Sequence, residues 1–292
     1  MHSITEQDNK NKRKKMQANI EQAKQIIKEA DAILITAGAG MGVDSGLPDF
    51  RGKDGFWNAY PLIKDLGYNF SEMANATWFK KDPAFAWAFY GHRLHLYRDT
   101  NPHKGFGMLL DLVKEKEDNY FIYTSNVDGQ FQKAGFDAQK ICEVHGSIHH
   151  IQCTGHCKGI KSADTTKVDI DMQSFRALNI PICQKCGSVI RPNILMFGDW
   201  EWDDSRSEQQ YFRYKKWLSS IILQDKKLAI IEIGAGEHIP SIRTKSENVA
   251  SHYENATLIR INPRDAHVDE KLGISVALGG LADLEQLLEK NA

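Results

Sequence analysis

The chain has 292 residues, a formal net charge of −1, and 41% hydrophobic and 26% charged residues. This composition provides for a sizeable core, and the length suits about two domains or one domain with insertions. Near-neutral charge excludes the global basic field of a nucleic-acid binder. No apolar run reaches the length of roughly 18 residues that a membrane span requires. The opening MHSITEQDNKNKRKKMQ has no apolar signal segment, so a cytoplasmic location is expected.

The one dense basic run, KNKRKK at 10–15, reads as part of a solvated, disordered tail over residues 1–17. Ile20, Ala23, Ile26, Ile27 and Ala30 then recur at helical spacing over 18–30. Strands are expected at 32–36 (AILIT), 120–124 (YFIYT), 141–146 (ICEVHG), 227–234 (KLAIIEIG), 256–262 (ATLIRIN) and 274–278 (ISVAL), and a last helix at 281–290. Several of these runs are continuously apolar, as in parallel strands buried on both faces. Residues 58–98 are aromatic-rich and read as helical. Residues 151–189 hold cysteine pairs around a polar middle, and both stretches read as excursions from the sheet.

Strand after strand ends in a small or charged cluster: GAG, SNVD, HGS, GAGE and NPRD. Ligands of open α/β sheets bind at the carboxyl ends of the strands, so these clusters should meet in one crevice. The fold class expected is therefore α/β, a Rossmann-like doubly wound parallel sheet with a smaller helical and zinc-ribbon domain. The first cluster, TAGAGMGVDSGLPDFRG at 36–52, fails the G-x-G-x-x-G pattern, since Val43 and Ser45 stand where the third glycine would fall, and the P-loop pattern, since no Gly-Lys-Ser/Thr follows. Its glycines still permit close backbone approach and could cradle a pyrophosphate.

Of the five cysteines, Cys142 stands alone. Cys153-x3-Cys157 and Cys183-x2-Cys186 have spacing suited to tetrahedral zinc in a closed, structural site. An odd count argues against a disulfide framework and for a reducing compartment. His156 is an alternate ligand on the same loop. Among eleven histidines, His145 stands out at a strand end before glycine, where a side chain titrating near neutral pH suits proton abstraction.

GAG followed by GLPDFRG, then TSNVDGQFQKAG (124–135), EVHGS (143–147) and RPNILMFGD (191–199) resemble, in order, the signature segments of the sirtuin family of NAD-dependent protein deacylases. The resemblance spans about residues 18–290. It implies NAD as cofactor, a structural zinc, and acyl-lysine proteins as substrates, with nicotinamide, free lysine and O-acyl-ADP-ribose as products. Carried over residue by residue, it implies His145 as base, with Asn126 on the ribose side and Asp128 on the nicotinamide amide. Cofactor contacts are implied for Gly38, Ala39, Gly40, Asp44, Asp49, Phe50, Arg51, Trp57, Ser125, Val127, Gly234, Ala235, Gly236, Asn262 and Leu278. Phe197, Gly198 and Asp199 are implied to pair with an extended substrate.

Departures are visible too. Gly42 stands where serine is usual, Ser125 where glutamine is usual, Ala235 and Gly236 lack two hydroxyls, and Asp199 replaces glutamate. Tyr90-x-x-Arg93 resembles the pair lining the acyl pocket of succinyl- and malonyl-removing sirtuins. The same residues also suit an amphipathic helix with arginine on its wet face. The implied domains are a cofactor domain of 18–57, 98–150 and 190–292 and a small domain of 58–97 and 151–189. Rival activities are ADP-ribosyl transfer, NAD hydrolysis, or non-catalytic NAD binding.

Overall fold

The computed structural model describes residues 6–48, 58–277 and 279–288. Helix α1 (Glu6–Glu29) is unbroken by glycine or proline, and its core face is Ile20, Ala23 and Ile27. The expectation of a disordered tail is corrected here: KNKRKK lies inside α1. Lys, Arg, Gln and Met are strong helix formers, and the core-facing half nucleates a helix that the basic half extends. Lys116 Nζ closes the helix by donating to the Lys28 and Ala30 carbonyls, both at 2.8 Å.

Six parallel strands follow the order β11–β10–β9–β1–β2–β3, with β1 (Ala32–Ala37), β2 (Tyr120–Thr124), β3 (Ile141–Glu143), β9 (Leu228–Ile233), β10 (Ala256–Ile261) and β11 (Gly273–Val276). Alternation within the apolar runs serves two cores. Ile33 and Ile35 face α1, α6 (Lys104–Glu115) and α10 (Gly280–Leu288). Ala32 and Leu34 face α8 (Ser205–Leu223) and α9 (Ser241–His252). The chain moves one way from β1 to β2 and β3 and the other way through β9 to β11, so the crevice of a doubly wound sheet opens above β1 and β9.

The expected strand 141–146 is in fact two. β3 stops at Glu143, and Gly146 begins β4 (Gly146–Cys153) of a separate antiparallel sheet with β5 (Lys161–Ser162) and β8 (Ile190–Ile194). Gly146 makes the crossing possible. It sits at φ 75°, and a Cβ there would lie 2.1 Å from the Asn193 carbonyl oxygen. His145 is thereby held at the seam between two sheets.

Residues 58–98 form short helices α2 (Pro61–Asp65), α3 (Phe70–Met73) and α4 (Trp78–Lys81), then α5 (Pro83–Asp99). With the hairpin β6 (Ile170–Asp171) and β7 (Arg176–Ala177), they enclose an aromatic core of Tyr60, Phe79, Phe85, Trp87, Phe89 and Phe175. The remaining helix, α7 (Gln130–Lys133), follows the β2 loop.

Candidate active site

The floor of the crevice is the turn Ala39–Ser45 that leaves β1. Gly38 N–H donates to Ile233 O and Gly40 N–H to Gly234 O, each at 3.0 Å, while Met41 N–H turns back to Gly38 O (3.1 Å). A Cβ on Gly40 would lie 2.7 Å from the Gly234 Cα, and one on Gly234 would lie 2.4 Å from Met41 N. These glycines interlock the loops after β1 and β9, and the N–H groups of Gly38, Gly40 and Met41 are spent on that lock. His103 secures it from below: Nε2–H donates to Met41 O (3.0 Å), and its own N–H reaches Ser45 Oγ (3.0 Å). No local pattern in the sequence singles out His103.

A cavity of about 440 Å3 rises from this floor. It brings together Ala39, Ser125, Asn126, Val127, Asp128 and His145 with Tyr90, Arg93, Phe197, Gly198 and Asp199. Asn126 is pinned across the strands: Nδ2 donates to Gly38 O (2.9 Å), and its N–H reaches Thr124 Oγ1 (3.0 Å). Asp128 Oδ1 accepts from Gln130 N–H (2.9 Å), and burial pushes its carboxyl up to about 6. Below His145, helix α8 clamps the end of β3. Ser207 Oγ donates to Glu143 O (2.9 Å), Gln210 Oε1 accepts from Glu143 N–H (3.0 Å), and Arg206 Nη2 donates to the Glu143 carboxylate (2.5 Å).

Arg93 is not on a wet face. It is 5% exposed, its Nη2 donates to Tyr97 Oη (2.8 Å), and the rings of Phe70, Phe89, Tyr90 and Tyr97 surround its guanidinium at 5.4–5.9 Å. The buried Tyr90 hydroxyl has no hydrogen-bond partner among the described residues, and burial pushes its pKa up to about 12.

Asp199 is placed differently from its neighbours. Its carboxylate is fully buried against Arg191, with Nη1 to Oδ1 at 3.0 Å and a second bond from Nη2, and it also accepts from Met196 N–H. This pair fixes Phe197 and Gly198 at the cavity mouth, and in the sequence only the charges flanking an apolar run hint at it. Phe197 N–H donates to Ala74 O (2.8 Å), which closes the edge where a substrate strand is expected. Trp200, 96% exposed, stands on the rim.

Other expected contacts lie away from this cavity. Asp44 Oδ2 accepts from Leu281 N–H (2.8 Å) at the start of α10. Asn262 ties loops together, donating to Ala235 O (2.9 Å) and accepting from Arg264 and Asp265 N–H. Gly234 belongs to the glycine lock, and Ala235 and Gly236 follow it. Asp49, Phe50, Arg51, Trp57 and Leu278 lie outside the described residues.

The Sγ atoms of Cys153, Cys157, Cys183 and Cys186 all lie within 4.8 Å of one another, and Cys153 and Cys186 are 3.5 Å apart. Four thiolates about 2.3 Å from one zinc ion stand roughly 3.8 Å apart, so this donor set fits tetrahedral zinc with no position left open. His156 is outside the group, its ring 3.9 Å from Glu201.

The sequence model of the Sir2 family matches residues 38–213. Curated relatives include an NAD-dependent protein deacylase of Aquifex aeolicus, 32% identical over 57% of this chain and 62% of its own length. Another is an NAD-dependent protein deacylase of Pyrococcus furiosus, 33% identical over 61% of this chain and 65% of its own length. A third is an NAD-dependent protein deacetylase of Saccharolobus solfataricus, 32% identical over 61% of this chain and 64% of its own length. The chain thus spans just under two-thirds of the length of these relatives. Among solved structures, a mutant Sir2 homologue in complex with ADP-ribose matches with a TM-score of 0.69 at 24% identity, covering 92% of this chain and 94% of that one. A Sir2 homolog–NAD complex matches with a TM-score of 0.66, also at 24% identity, covering 92% of each chain. The chain belongs to the Sir2 family.

Proposed function

We propose that the protein is an NAD-dependent protein-lysine deacylase. The observation that carries this reading is the meeting of His145, Asn126 and Asp128 in the cavity that also holds Tyr90, Arg93 and Phe197. Bound NAD supplies the nicotinamide–ribose bond to be broken and the ADP-ribose that accepts the acyl group. His145, held at the seam of two sheets, takes the proton from the ribose hydroxyls. Asn126 holds the ribose side, and Asp128, in its partly desolvated wall, holds the nicotinamide amide. The family resemblance assigns the remaining cofactor contacts to Asp49, Phe50, Arg51 and Trp57. The loops at Gly234–Gly236 and Asn262 receive the adenosine half, and the family resemblance adds Leu278 to its contacts. An extended acyl-peptide enters at the mouth, exchanging the Phe197–Ala74 bond for its own main-chain pairing. The four cysteines hold a structural zinc that keeps β4 and β8 in place.

The finer reading is an acyl group ending in a carboxylate, such as succinyl or malonyl. A buried guanidinium beside a partnerless buried hydroxyl offers a charge-assisted pair of bonds that an acetyl group leaves unused. Incubation with NAD and acyl-lysine peptides tests both levels. Deacylated peptide with O-acyl-ADP-ribose is expected, and it should vanish in His145→Ala without loss of fold. Free ADP-ribose alone, ADP-ribosylated protein, or binding without turnover would overturn the deacylase reading. Arg93→Met should remove activity on the succinyl peptide far more than on the acetyl peptide; equal loss on both would overturn the acidic-acyl reading.

A further inference from the structure

A second cavity, of about 680 Å3, lies behind the first and shares the Asp128 wall with it. Its chemistry is different. Arg98 and Lys133 enter from the side of α5 and α7, and Arg206 and Arg213 enter from α8. The two α8 arginines are seven residues apart, two helical turns, and so share one face. His149 and His150 of β4 close the far side.

The cations are poorly compensated. Arg98 donates to Thr166 O (2.9 Å) and Ala163 O (2.6 Å), Lys133 to Arg98 O and Thr100 O (both 2.7 Å), and Arg213 Nε to Gln139 O (3.0 Å). Backbone carbonyls satisfy hydrogen bonds but leave the positive charge in place. Among the described residues, Arg206 alone of the four has a carboxylate, that of Glu143, and its Nη1 is buried with no partner there, as is His150 Nδ1. The acids on the walls are Asp128 and Asp164. Burial and the nearby Arg206 hold His150 down to about 4, so it is neutral at physiological pH and stands in a positive field.

Two unsatisfied buried polar groups are costly, and arginines facing a shared space suit forked recognition of phosphate. The volume exceeds that of a lone ion. We infer that this cavity binds a small organic phosphate, a site separate from the cavity proposed for NAD and acyl-lysine. The site is also coupled to that cavity. His149 Nε2–H donates to Asp128 O (2.8 Å), and its ring packs on Gly129, so an occupant on the His149 side steadies the segment that carries Asp128. The activity arm rests on the deacylase reading; the binding arm does not.

Calorimetry on the full chain, kept saturated with ADP-ribose to occupy the first cavity, uses fructose 1,6-bisphosphate and inorganic phosphate as ligands. Fructose 1,6-bisphosphate should bind with a Kd below about 1 mM, and Arg213→Ala should weaken it about tenfold while basal deacylation stays unchanged. Arg206→Ala removes the partner of a buried carboxylate and can unfold the clamp, so Lys133→Ala serves as the second variant, with the same expected direction. Binding by inorganic phosphate as tight as that of the sugar phosphate would show a plain anion site and overturn the organic ligand. Absence of heat with both ligands, or wild-type affinity in both variants, would overturn the site. Bound fructose 1,6-bisphosphate should also change the KM for NAD at least twofold; binding without that change would remove the coupling.

Discussion

Replacing Asp128 with asparagine isolates the energetic burden of a carboxyl kept in the cavity wall. Burial raises this group from 3.8 to about 6. The folded protein therefore keeps a proton that the unfolded chain releases near 3.8, and stability falls as pH rises through that window. At about 1.36 kcal/mol per tenfold, the burden at pH 7 and above is about 3 kcal/mol, vanishing only by about pH 3, below both values. Asparagine has the same shape, and its Oδ1 still accepts from Gln130 N–H, so the loop stays in place. Asp128→Asn should thus be more stable than the wild type by about 2–3 kcal/mol at pH 8 and equal to it at about pH 3. Urea denaturation of ligand-free protein at the two pH values measures this, with other titrating groups cancelling in the difference. Equal stability at pH 8, or a variant weaker there than the wild type, would refute the reasoning. A gain in stability with a loss of turnover is the pattern of a site held strained for function.

Gly40→Ala drives a methyl into the Gly234 backbone at 2.7 Å and should lower affinity for NAD by at least about tenfold in calorimetry. Gly42→Ser should keep NAD affinity within about threefold, because its Cβ comes closest to the flexible Leu47 side chain at 3.1 Å and stands at an ordinary contact distance of 3.7 Å from Asp128 Oδ2. Asp199→Asn leaves Arg191 buried without its charge partner and should cost about 3 kcal/mol in urea denaturation, with a raised KM for the peptide. Removing metal with a chelator, or Cys186→Ser, should lower the melting temperature and release about one zinc per chain by atomic absorption; unchanged stability would deny a structural metal.

Much of the parallel sheet is legible from the chain alone. Largely apolar runs such as LAIIEI, interrupted by Glu232, and AILITA, interrupted by Thr36, are local features, and each appears as a strand with both faces covered. The cysteine pairs are legible for the same reason, since ligand spacing within each knuckle is short. The basic run at 10–15 is deceptive because charge suggests solvent, while helix propensity and the apolar stripe that follows decide its backbone. The break of ICEVHG into two sheets is not legible: it depends on Asn193, far along the chain, meeting Gly146.

The residue types of the site are thus properties of the sequence: a histidine before glycine, an asparagine two residues before an aspartate, an arginine three after a tyrosine. Their meanings come from contacts that only the fold creates. Arg93 is a buried cation only because α3 and α5 close aromatic rings around it. The glycines after β1 are required because the loop after β9 comes to van der Waals distance. Asp128 titrates high only where the two cavities meet and water is displaced. Hydrophobic periodicity is encoded within a few residues and survives in any fold, whereas burial, charge compensation and close backbone approach exist only once topology has chosen the neighbours.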